Sequence, residues 1–395
     1  MKSRGIRLQY SFQPDGQRGA DLHNPLFDLL SAVREHGSIQ HAARATGSSY
    51  RHVWGALKQW QEELGEPLVT WTQGQPARLT PFAERLLWAE ARARTRLAPH
   101  IEALRAELER VLADAFDGTQ QVLTVYASHD NALPLLRERA SAEHRLHIDL
   151  RFAGSMDALR ALAEGRCLVA GFHVPPLTDS QNVFARTLKP LLKPGRHKLI
   201  GCTRRTQGLM VAPGNPLRLR GLADLAALLR AQPPKADGSA PRFIHRQSGS
   251  GTRLLTEHLL QEQGLDGSAL GEPGEGAEDS HGAVAAAVAS GLGGAGLGLE
   301  SAALAFGLGF VPLIEEDYFL VCLADALEHP AVVQLRELLK SLGWRRTVAD
   351  LPGYSPSSSG EVLSLTRALP WWNFRSPKAD SATEVDTPGS TPSKT

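Results

Sequence analysis

The chain has 395 residues, 42% of them hydrophobic and 22% charged, which excludes a wholly disordered protein and predicts two or three domains. Its 43 Lys and Arg residues balance 42 Asp and Glu residues, and the net charge of +1 excludes a uniformly basic nucleic-acid coat but not a local basic patch. The three cysteines lie far apart, so neither a disulfide framework nor a CxxC zinc site is expected. The sequence predicts no metal site and no bound cofactor.

Four regions follow one another along the chain. Residues 1–80 carry short helical patterns and a hairpin, and residues 81–117 a long helical pattern rich in Ala, Leu, Glu and Arg. Residues 121–372 alternate apolar strands with amphipathic helices, whereas 373–395 are rich in Ser, Thr and Pro. We predict an α/β multidomain protein with a disordered tail. We also expect it to be cytoplasmic, because no signal-peptide core is visible and the uncharged stretch 282–299 is too rich in glycine for a membrane span.

The first region predicts three short helices separated by glycine turns. Gly37 stops the first helix and Gly47 the second, while Ser38 caps the second helix and Ser48 or Ser49 the third. A helix, a short turn and a helix form the layout of a helix-turn-helix, whose last helix enters the major groove. The alternative is a three-helix bundle whose exposed basic residues are merely solvated.

Charge favours DNA binding by this region. No Asp or Glu occurs between His36 and Gln61, and the segment 68–80 predicts a hairpin with Gly74 at its tip, the wing of a winged helix-turn-helix. The residues predicted to contact DNA are Ser38, Arg44, Ser48, Ser49, Tyr50, Arg51, His52, Lys58, Gln73 and Arg78.

A resemblance to a known family is carried by three segments: HGSIQHAARATGSSYRHVW, ELGEPLV and ARLTPFAERLL. They look like the winged helix-turn-helix of ModE-type molybdate-responsive regulators, which is related to the LysR-type DNA-binding head. The likeness covers roughly residues 4–90, and IRLQYSF would be the extra N-terminal strand of such domains. The resemblance implies that Ser49, Tyr50 and Arg51 face the DNA groove and that Trp54 belongs to the core. For Tyr50, packing against the wing is the alternative.

The long helix predicts a dimerisation element. Apolar residues recur in it at spacings of four and three, the pattern of a coiled-coil seam: Leu97, Ile101, Leu104, Leu108, Val111 and Ala115. Pro99 lacks an amide proton, so the helix is expected to kink or start afresh there. We predict a homodimer, because two-fold symmetric regulators read two DNA half-sites. The alternative is a helix that packs on its own globular domain.

Three turns in the α/β region each lead from a strand into a helix. They carry Ser128, His129 and Asp130, then Gly154 and Ser155, then the run from 248 to 252, SGSGT. Free amides at helix N-termini attract anions, and equivalent turns of an α/β sheet meet at one cleft. The lysine of a Walker A loop is missing, so a nucleotide loop is not predicted.

A second resemblance covers about residues 121–372. It is carried by SHDNALPLL, FAGSMDALRALAEGRCLVAGFHV, GLMVAPGNP, RQSGSGTR and SHGAVAAAVASGLGGAGLG. These segments look like the two-lobed periplasmic-binding-protein-like (type II) domain fused to some ModE-type regulators. The resemblance implies lobe I at about 121–206 and 313–372 and lobe II at about 207–312, with crossings near Thr206 and Pro312. In one departure, Gly293-Gly294 replaces the Ala-Asp that related domains often show, so a binding carboxylate or cap is missing there.

By this resemblance, the expected effector is molybdate or tungstate. The alternative is a small organic metabolite, such as a carboxylate or a pterin-like cofactor. The ligand-binding candidates are Ser128, His129, Asp130, Ser155, His173, Arg246, Ser250, Thr252, His281 and Tyr318. Some of them have structural alternatives: His173 as a core histidine, His281 as a helix cap, and Arg246 as the partner of a carboxylate such as Asp130.

Catalysis is not predicted. The sequence lacks HExxH, GxSxG and the protein-kinase motifs. Ser128, His129 and Asp130 are adjacent, and neighbouring residues at a helix start point in different directions, whereas a catalytic triad is assembled from separate elements. We therefore predict a DNA-binding transcriptional regulator. Its expected partners are double-stranded DNA, a small effector and a second copy of itself, with no membrane.

Overall fold

The computed structural model describes residues 24–71, 75–116, 121–231, 242–272 and 277–372. The predicted N-terminal strand, the predicted wing tip with Gln73 and the predicted disordered tail therefore lie outside the described residues. The DNA-binding head comprises α1 (Pro25–His36), α2 (Ile39–Ala45), α3 (Tyr50–Leu64), β1 (Val69–Thr70) and β2 (Arg78–Leu79).

The helix boundaries of the head follow the predicted caps. Gly37 ends α1 with φ 59°, in the left-handed region that favours glycine. The Ser38 hydroxyl accepts a hydrogen bond from the His41 amide, and the Ser49 hydroxyl accepts one from the His52 amide. Strands β1 and β2 pair antiparallel. The predicted winged helix-turn-helix is confirmed.

Helix α4 (Pro81–Phe116) runs for 36 residues without interruption at Pro99. The helix does not start afresh at Pro99, and the kink predicted as the other outcome stays a prediction. The helix packs on the α/β region of its own chain (residues 121–372, called the sensor domain below), as the alternative proposed, yet Leu104 and Val111 remain 46% and 57% exposed. Trp88 of α4 stacks on Phe306 of the sensor domain, with ring centroids 6.4 Å apart. No helix of the described residues is both long and apolar enough to cross a membrane.

The sensor domain (residues 121–372) alternates strands and helices as predicted. Its elements are β3 (Gln121–Ala127), α5 (Ala132–His144), β4 (Leu146–Phe152), α6 (Ser155–Ala163), β5 (Val169–Val174), α7 (Val183–Leu188), β6 (His197–Val211), α8 (Leu222–Ala231), β7 (Phe243–Ile244), α9 (Gly251–Glu262), α10 (His281–Ala289), β8 (Ala295–Leu299), α11 (Glu300–Ala305), β9 (Gly309–Leu323), α12 (Pro330–Lys340), α13 (Leu342–Ala349), β10 (Tyr354–Ser355), β11 (Val362–Leu363) and α14 (Leu365–Ala368).

One sheet runs through the whole sensor domain in the order β4-β3-β5-β9-β6-β8-β7, and the short strands β10 and β11 pair with β6. Strands β6 and β9 are 15 residues long each and pair antiparallel from His197 opposite Leu323 to Val211 opposite Gly309. One half of this ribbon joins β5, and the other half joins β8. Thr206 and Pro312, the predicted crossing points between lobes, both lie in the ribbon; the lobe limits stay predictions.

Apolar residues cover both faces of the sheet. One core packs α5 and α12 against β3 and β4, and α10 against β8. The other core packs α6 and α9 against β5 and includes the apolar face of α8. Because helices cover both faces, the strands read as nearly continuous apolar runs, such as the fully buried β5. Helices α6, α9 and α10 begin at one shared cavity.

Candidate functional site

The N-terminal end of α3 and the wing form an exposed face on the DNA-binding head. Among the predicted contact residues, the exposed ones are Arg44, Ser49, Tyr50, Arg51, His52, Lys58 and Arg78. Ser38 and Ser48 are half-buried, and Ser38 is occupied as a helix cap. The Lys58 ammonium lies 3.9 Å from the carboxylate of Glu62, one turn further along α3. The arrangement leaves cationic side chains where a DNA backbone can reach them.

The expected core position of Trp54 is wrong. Its side chain is 44% exposed, and its ring meets the 58% exposed ring of Trp71 edge-on, with centroids 6.5 Å apart. Val53 and Leu57 form the buried face of α3, and Trp54 lies about 100° around the helix from Val53. The helical positions of Val53 and Leu57 in the sequence could have indicated that Trp54 lies outside the core. Recognition helix and wing thus share an aromatic pair on the exposed face.

In the sensor domain, three helix N-termini open onto one cavity of about 180 Å³. Ser155 is the first residue of α6, Ser250 caps α9 and His281 is the first residue of α10. Of the ten predicted ligand-binding residues, the structure brings together eight in the lining of this cavity: Ser128, His129, Ser155, His173, Arg246, Ser250, Thr252 and His281.

Asp130 and Tyr318 do not line the cavity, so the structure does not bring them together with the other eight candidates. Asp130 pairs with the buried guanidinium of Arg205, whose Nη2 also lies 2.6 Å from Oε1 of Glu316. Arg246 therefore does not have Asp130 as its partner. The Tyr318 hydroxyl donates to the Ser128 carbonyl at 2.7 Å, so Tyr318 lies behind the cavity and supports its wall.

Arg246 presents a buried cation to the cavity. Its Nε donates to the Glu278 carbonyl at 3.1 Å and its Nη2 to the Asp279 carbonyl at 2.7 Å. The whole residue is only 7% exposed. Its Nη1 is therefore shielded from water, and it has no hydrogen-bond partner in the described part of the chain. Burial lowers the pKa of Arg246 to about 10, so the guanidinium keeps its charge at neutral pH. A buried, unpaired donor of this kind calls for an acceptor, and an anion supplies one.

Three histidines surround this cation. Burial, followed by the charges of Arg246 and Arg205, lowers the pKa of His129 to about 3. The same causes hold the pKa values of His173 and His281 well below the ordinary value. The rings are therefore neutral, and each can donate or accept a hydrogen bond depending on its tautomer.

The structural alternatives for His173 and His281 were a core histidine and a helix cap, and neither describes where these two rings lie. Nδ1 of His173 lies 3.3 Å from the Ser128 hydroxyl, and a Cβ at Gly251 would lie 2.2 Å from its Nε2, so only glycine fits beside the ring. Ser280, not His281, caps α10, and Nδ1 of His281 has no partner among the described residues. Both imidazoles thus belong to the cavity wall.

The hydroxyl groups of the cavity are not equally free. The Ser155 hydroxyl is fully buried and has no partner within the described residues, whereas Ser250 donates to the Gln247 carbonyl at 2.9 Å and caps α9. The hydroxyl oxygen of Thr252 accepts a hydrogen bond from Gln207 at 3.3 Å. Ser155 is therefore the hydroxyl best placed to meet a ligand.

Family comparisons fit this geometry. Residues 136–340, just over half of the chain, match the model of the PBP superfamily domain. The chain belongs to the PBP superfamily. Residues 26–84 of this PBP-superfamily chain match the model of the bacterial regulatory helix-turn-helix protein, lysR family. The chain thus places a helix-turn-helix of the lysR-family type before its PBP-superfamily domain.

The individual proteins to which this PBP-superfamily chain is similar share only a small part of its sequence. It is 30% identical over 213 residues to the uncharacterized protein YvgK of Bacillus subtilis (strain 168), a match that covers 54% of this chain and 64% of the relative's length. A mutant of OxyR from Corynebacterium glutamicum bound to H₂O₂ is 16% identical at a TM-score of 0.40, covering 80% of this chain and 94% of that one. LysG of the same organism, with its effector Arg bound, is 19% identical at a TM-score of 0.35, covering 80% and 96%.

Further residues line the cavity in this PBP-superfamily chain. Gly154 and Gly251 lie in two of the predicted turns, whereas six residues were not predicted: Pro99, His100, Phe152, Ala153, Gln247 and Asp279. The turn before α6 approaches the turn before α9 so closely that a Cβ at Gly154 would lie 2.9 Å from the carbonyl oxygen of Gly249. At Gly293, a Cβ would lie 2.5 Å from Cδ1 of Ile244. The glycine that replaces the Ala of the related domains at this position therefore reflects close packing against β7. Gly293 does not belong to the cavity lining.

Proposed function

We propose that this chain is a LysR-type transcriptional regulator that binds double-stranded DNA through α3 and the wing, and that a small anion bound in the cavity modulates its activity. One observation carries the proposal: the buried guanidinium of Arg246 has an unpaired Nη1, in a cavity onto which three helix N-termini open. Helix N-termini and a buried arginine both stabilise negative charge, and neutral histidines beside them add donors without a counter-charge.

Size narrows the class of effector. Pockets for drug-sized ligands span about 300–1,000 Å³. The cavity here, about 180 Å³, suits a compact oxyanion or a small carboxylate better than a pterin-like cofactor. Within this class we propose molybdate or tungstate, the effectors of the ModE-type regulators that the chain resembles. The hydroxyl of Ser155 and the amides of α6, α9 and α10 would supply donors to such a dianion.

A second candidate effector is favoured by Asp279. Its Oδ1 is buried, lines the cavity and has no partner among the described residues. An unpaired acceptor prefers a ligand that carries a donor, which a fully deprotonated oxyanion lacks. A small organic acid with a hydroxyl or amino group would satisfy both Arg246 and Asp279.

The test is a thermal-shift and calorimetry series on the full chain with molybdate, tungstate, sulfate, phosphate and small carboxylates. A ligand at a hundred times its Kd stabilises the folded state by about 2.7 kcal/mol. Arg246→Gln should abolish the shift, and Arg160→Gln, on the exposed part of α6, is the matched control. A shift with hydroxy or amino acids alone would favour the second candidate. No shift with any anion would refute an anionic effector.

We further propose a homodimer that presents two DNA-binding heads to two half-sites. Leu104 and Val111 lie seven residues apart on α4, and both are exposed although they are large and apolar. A seven-residue spacing places them on one side of the helix, as in a coiled-coil seam. A second α4 would cover them.

A further inference from the structure

We propose that helix α4 is part of the effector site, and that Glu278 is the residue through which it positions Arg246. The inference rests on the proposed function only for the identity of the ligand. Helix α4 bears the DNA-binding head at its N-terminal end, so a site that includes this helix connects effector and DNA directly.

Helix α4 is anchored to lobe II by two arginines that hold one carboxylate. Glu278 is 1% exposed, and its Oε1 accepts hydrogen bonds from Arg92 Nε at 2.9 Å and Arg92 Nη2 at 2.7 Å. Its Oε2 accepts one from Arg96 Nε at 2.8 Å. Between the arginines, Thr95 lies so close to α10 that a Cβ at Gly282 would come within 2.6 Å of its methyl group. A buried carboxylate with two guanidinium partners is costly to break, because either half left alone keeps an uncompensated charge.

The same helix is anchored to lobe I six residues further on. Glu102 forms an ion pair with the buried guanidinium of Arg137 on α5. Helix α4 also packs along β4, the edge strand of lobe I. One helix is therefore fixed to both lobes, on either side of the cleft between them.

Between the two anchors, α4 faces the cavity itself. Pro99 and His100 are part of the cavity lining. Proline has no amide proton, so the helical hydrogen bond to the Thr95 carbonyl is missing at this position. The helix thus has its weakest point where it crosses the cleft, and a change in the angle between the lobes is most easily absorbed there.

Glu278 connects this anchor to the cation of the site. Its side chain binds Arg92 and Arg96, while its own carbonyl accepts the hydrogen bond from Arg246 Nε. The next carbonyl, that of Asp279, holds Arg246 Nη2. Any shift of α4 therefore moves the segment that directs the unpaired Nη1 into the cavity. Because coupling between two binding events is reciprocal, DNA that fixes α4 should change effector affinity by the same factor by which the effector changes DNA affinity.

The experiment measures access to the cavity without requiring a known effector. Ala153→Cys places a thiol in the cavity lining, and the native thiols of Cys167, Cys202 and Cys322 are all buried and report background. The rate of reaction with a water-soluble disulfide is followed in the full chain. Adding Arg92→Ala and Arg96→Ala together should raise this rate about tenfold or more, because α4 is released from lobe II.

Matched variants separate release of α4 from general unfolding. Arg94→Ala, whose residue pairs only with Glu90 of the same helix among the described residues, should leave the rate unchanged. If the double variant loses its cooperative thermal transition, Glu278→Gln is decisive, because it removes the charge and keeps the shape. Equal rates in parent, double variant and Glu278→Gln would overturn the inference. Molybdate, tungstate, sulfate, phosphate and small carboxylates are then added in turn to the Ala153→Cys parent. If none of these anions slows labelling, the proposed effector class is refuted, while the comparison of variants still decides the role of α4.

Discussion

The three neutral histidines of the cavity should make the sensor domain sensitive to acid. An unfolded histidine titrates near pH 6.5, whereas the pKa of folded His129 is lowered to about 3. Between these two values the unfolded state binds more protons than the folded state. The free energy of unfolding therefore falls as the pH is lowered through 6.5.

The magnitude follows from the same linkage. Lowering the pH from 7 to 5.5 should reduce the free energy of unfolding by about 1.2 kcal/mol through His129. The reason is that His129 takes up a proton in the unfolded chain over this range, whereas the folded ring stays neutral. Burial also holds the pKa values of His173 and His281 well below the ordinary value, so these two residues should act in the same direction. The roughly 1.2 kcal/mol from His129 alone is already a noticeable share of the 5–15 kcal/mol that stabilises a typical domain.

Urea denaturation of the full chain at pH 7 and pH 5.5, followed by circular dichroism, measures this difference. His129→Gln should reduce it by about 1.2 kcal/mol, and His52→Gln, exposed on α3, should leave it unchanged. Burial raises the pKa of Glu316, which opposes the trend, but this contribution is common to parent and variants and cancels. An identical pH dependence in the parent and in His129→Gln would refute the reasoning.

Three further outcomes are expected. Arg51→Ala should weaken binding to an operator fragment by about 1 to 3 kcal/mol if the side chain reads a base edge, measured by fluorescence polarisation, and an unchanged affinity at moderate salt would remove Arg51 from the interface. Leu104→Glu should convert dimers to monomers in light scattering, because it puts a charge into an apolar seam; a persistent dimer would show that another surface holds the subunits together. Gly154→Ala should weaken anion binding in calorimetry about tenfold, roughly 1.4 kcal/mol, because its Cβ would lie 2.9 Å from the Gly249 carbonyl and push the turns apart; wild-type affinity would mean that the turns separate without cost.

Local features were predictable from the sequence because short-range chemistry decides them. Ser38 and Ser49 cap α2 and α3, and Gly37 ends α1 in the left-handed region. The eight cavity residues were found for a related reason: each lies at or near a strand end or a helix start, and such positions of an α/β sheet converge at one edge.

Features that depend on distant parts of the chain were not predictable. Tyr318 faces His173 through the pairing of β5 with β9, and only this register shows that its hydroxyl supports Ser128 from behind. Pro99 and His100 belong to a helix whose apolar seam indicated dimerisation, and nothing in that pattern places them over the cleft. Trp54 was placed in the core by the family resemblance, against the register of its own helix, and the exposed aromatic pair was missed for that reason.

The ribbon of β6 and β9 also bears on how the chain folds during synthesis. Strand β5 precedes the segment 207–312, which is predicted to form lobe II, whereas the part of β9 that pairs with β5 follows it, and Tyr318 comes about 145 residues after His173. At a synthesis rate of about 5–20 residues per second, the edge of β5 stays unpaired for roughly 7 to 30 s. An apolar strand exposed for so long invites pairing with other chains. Nascent lobe I should therefore depend on chaperone protection until β9 has left the ribosome.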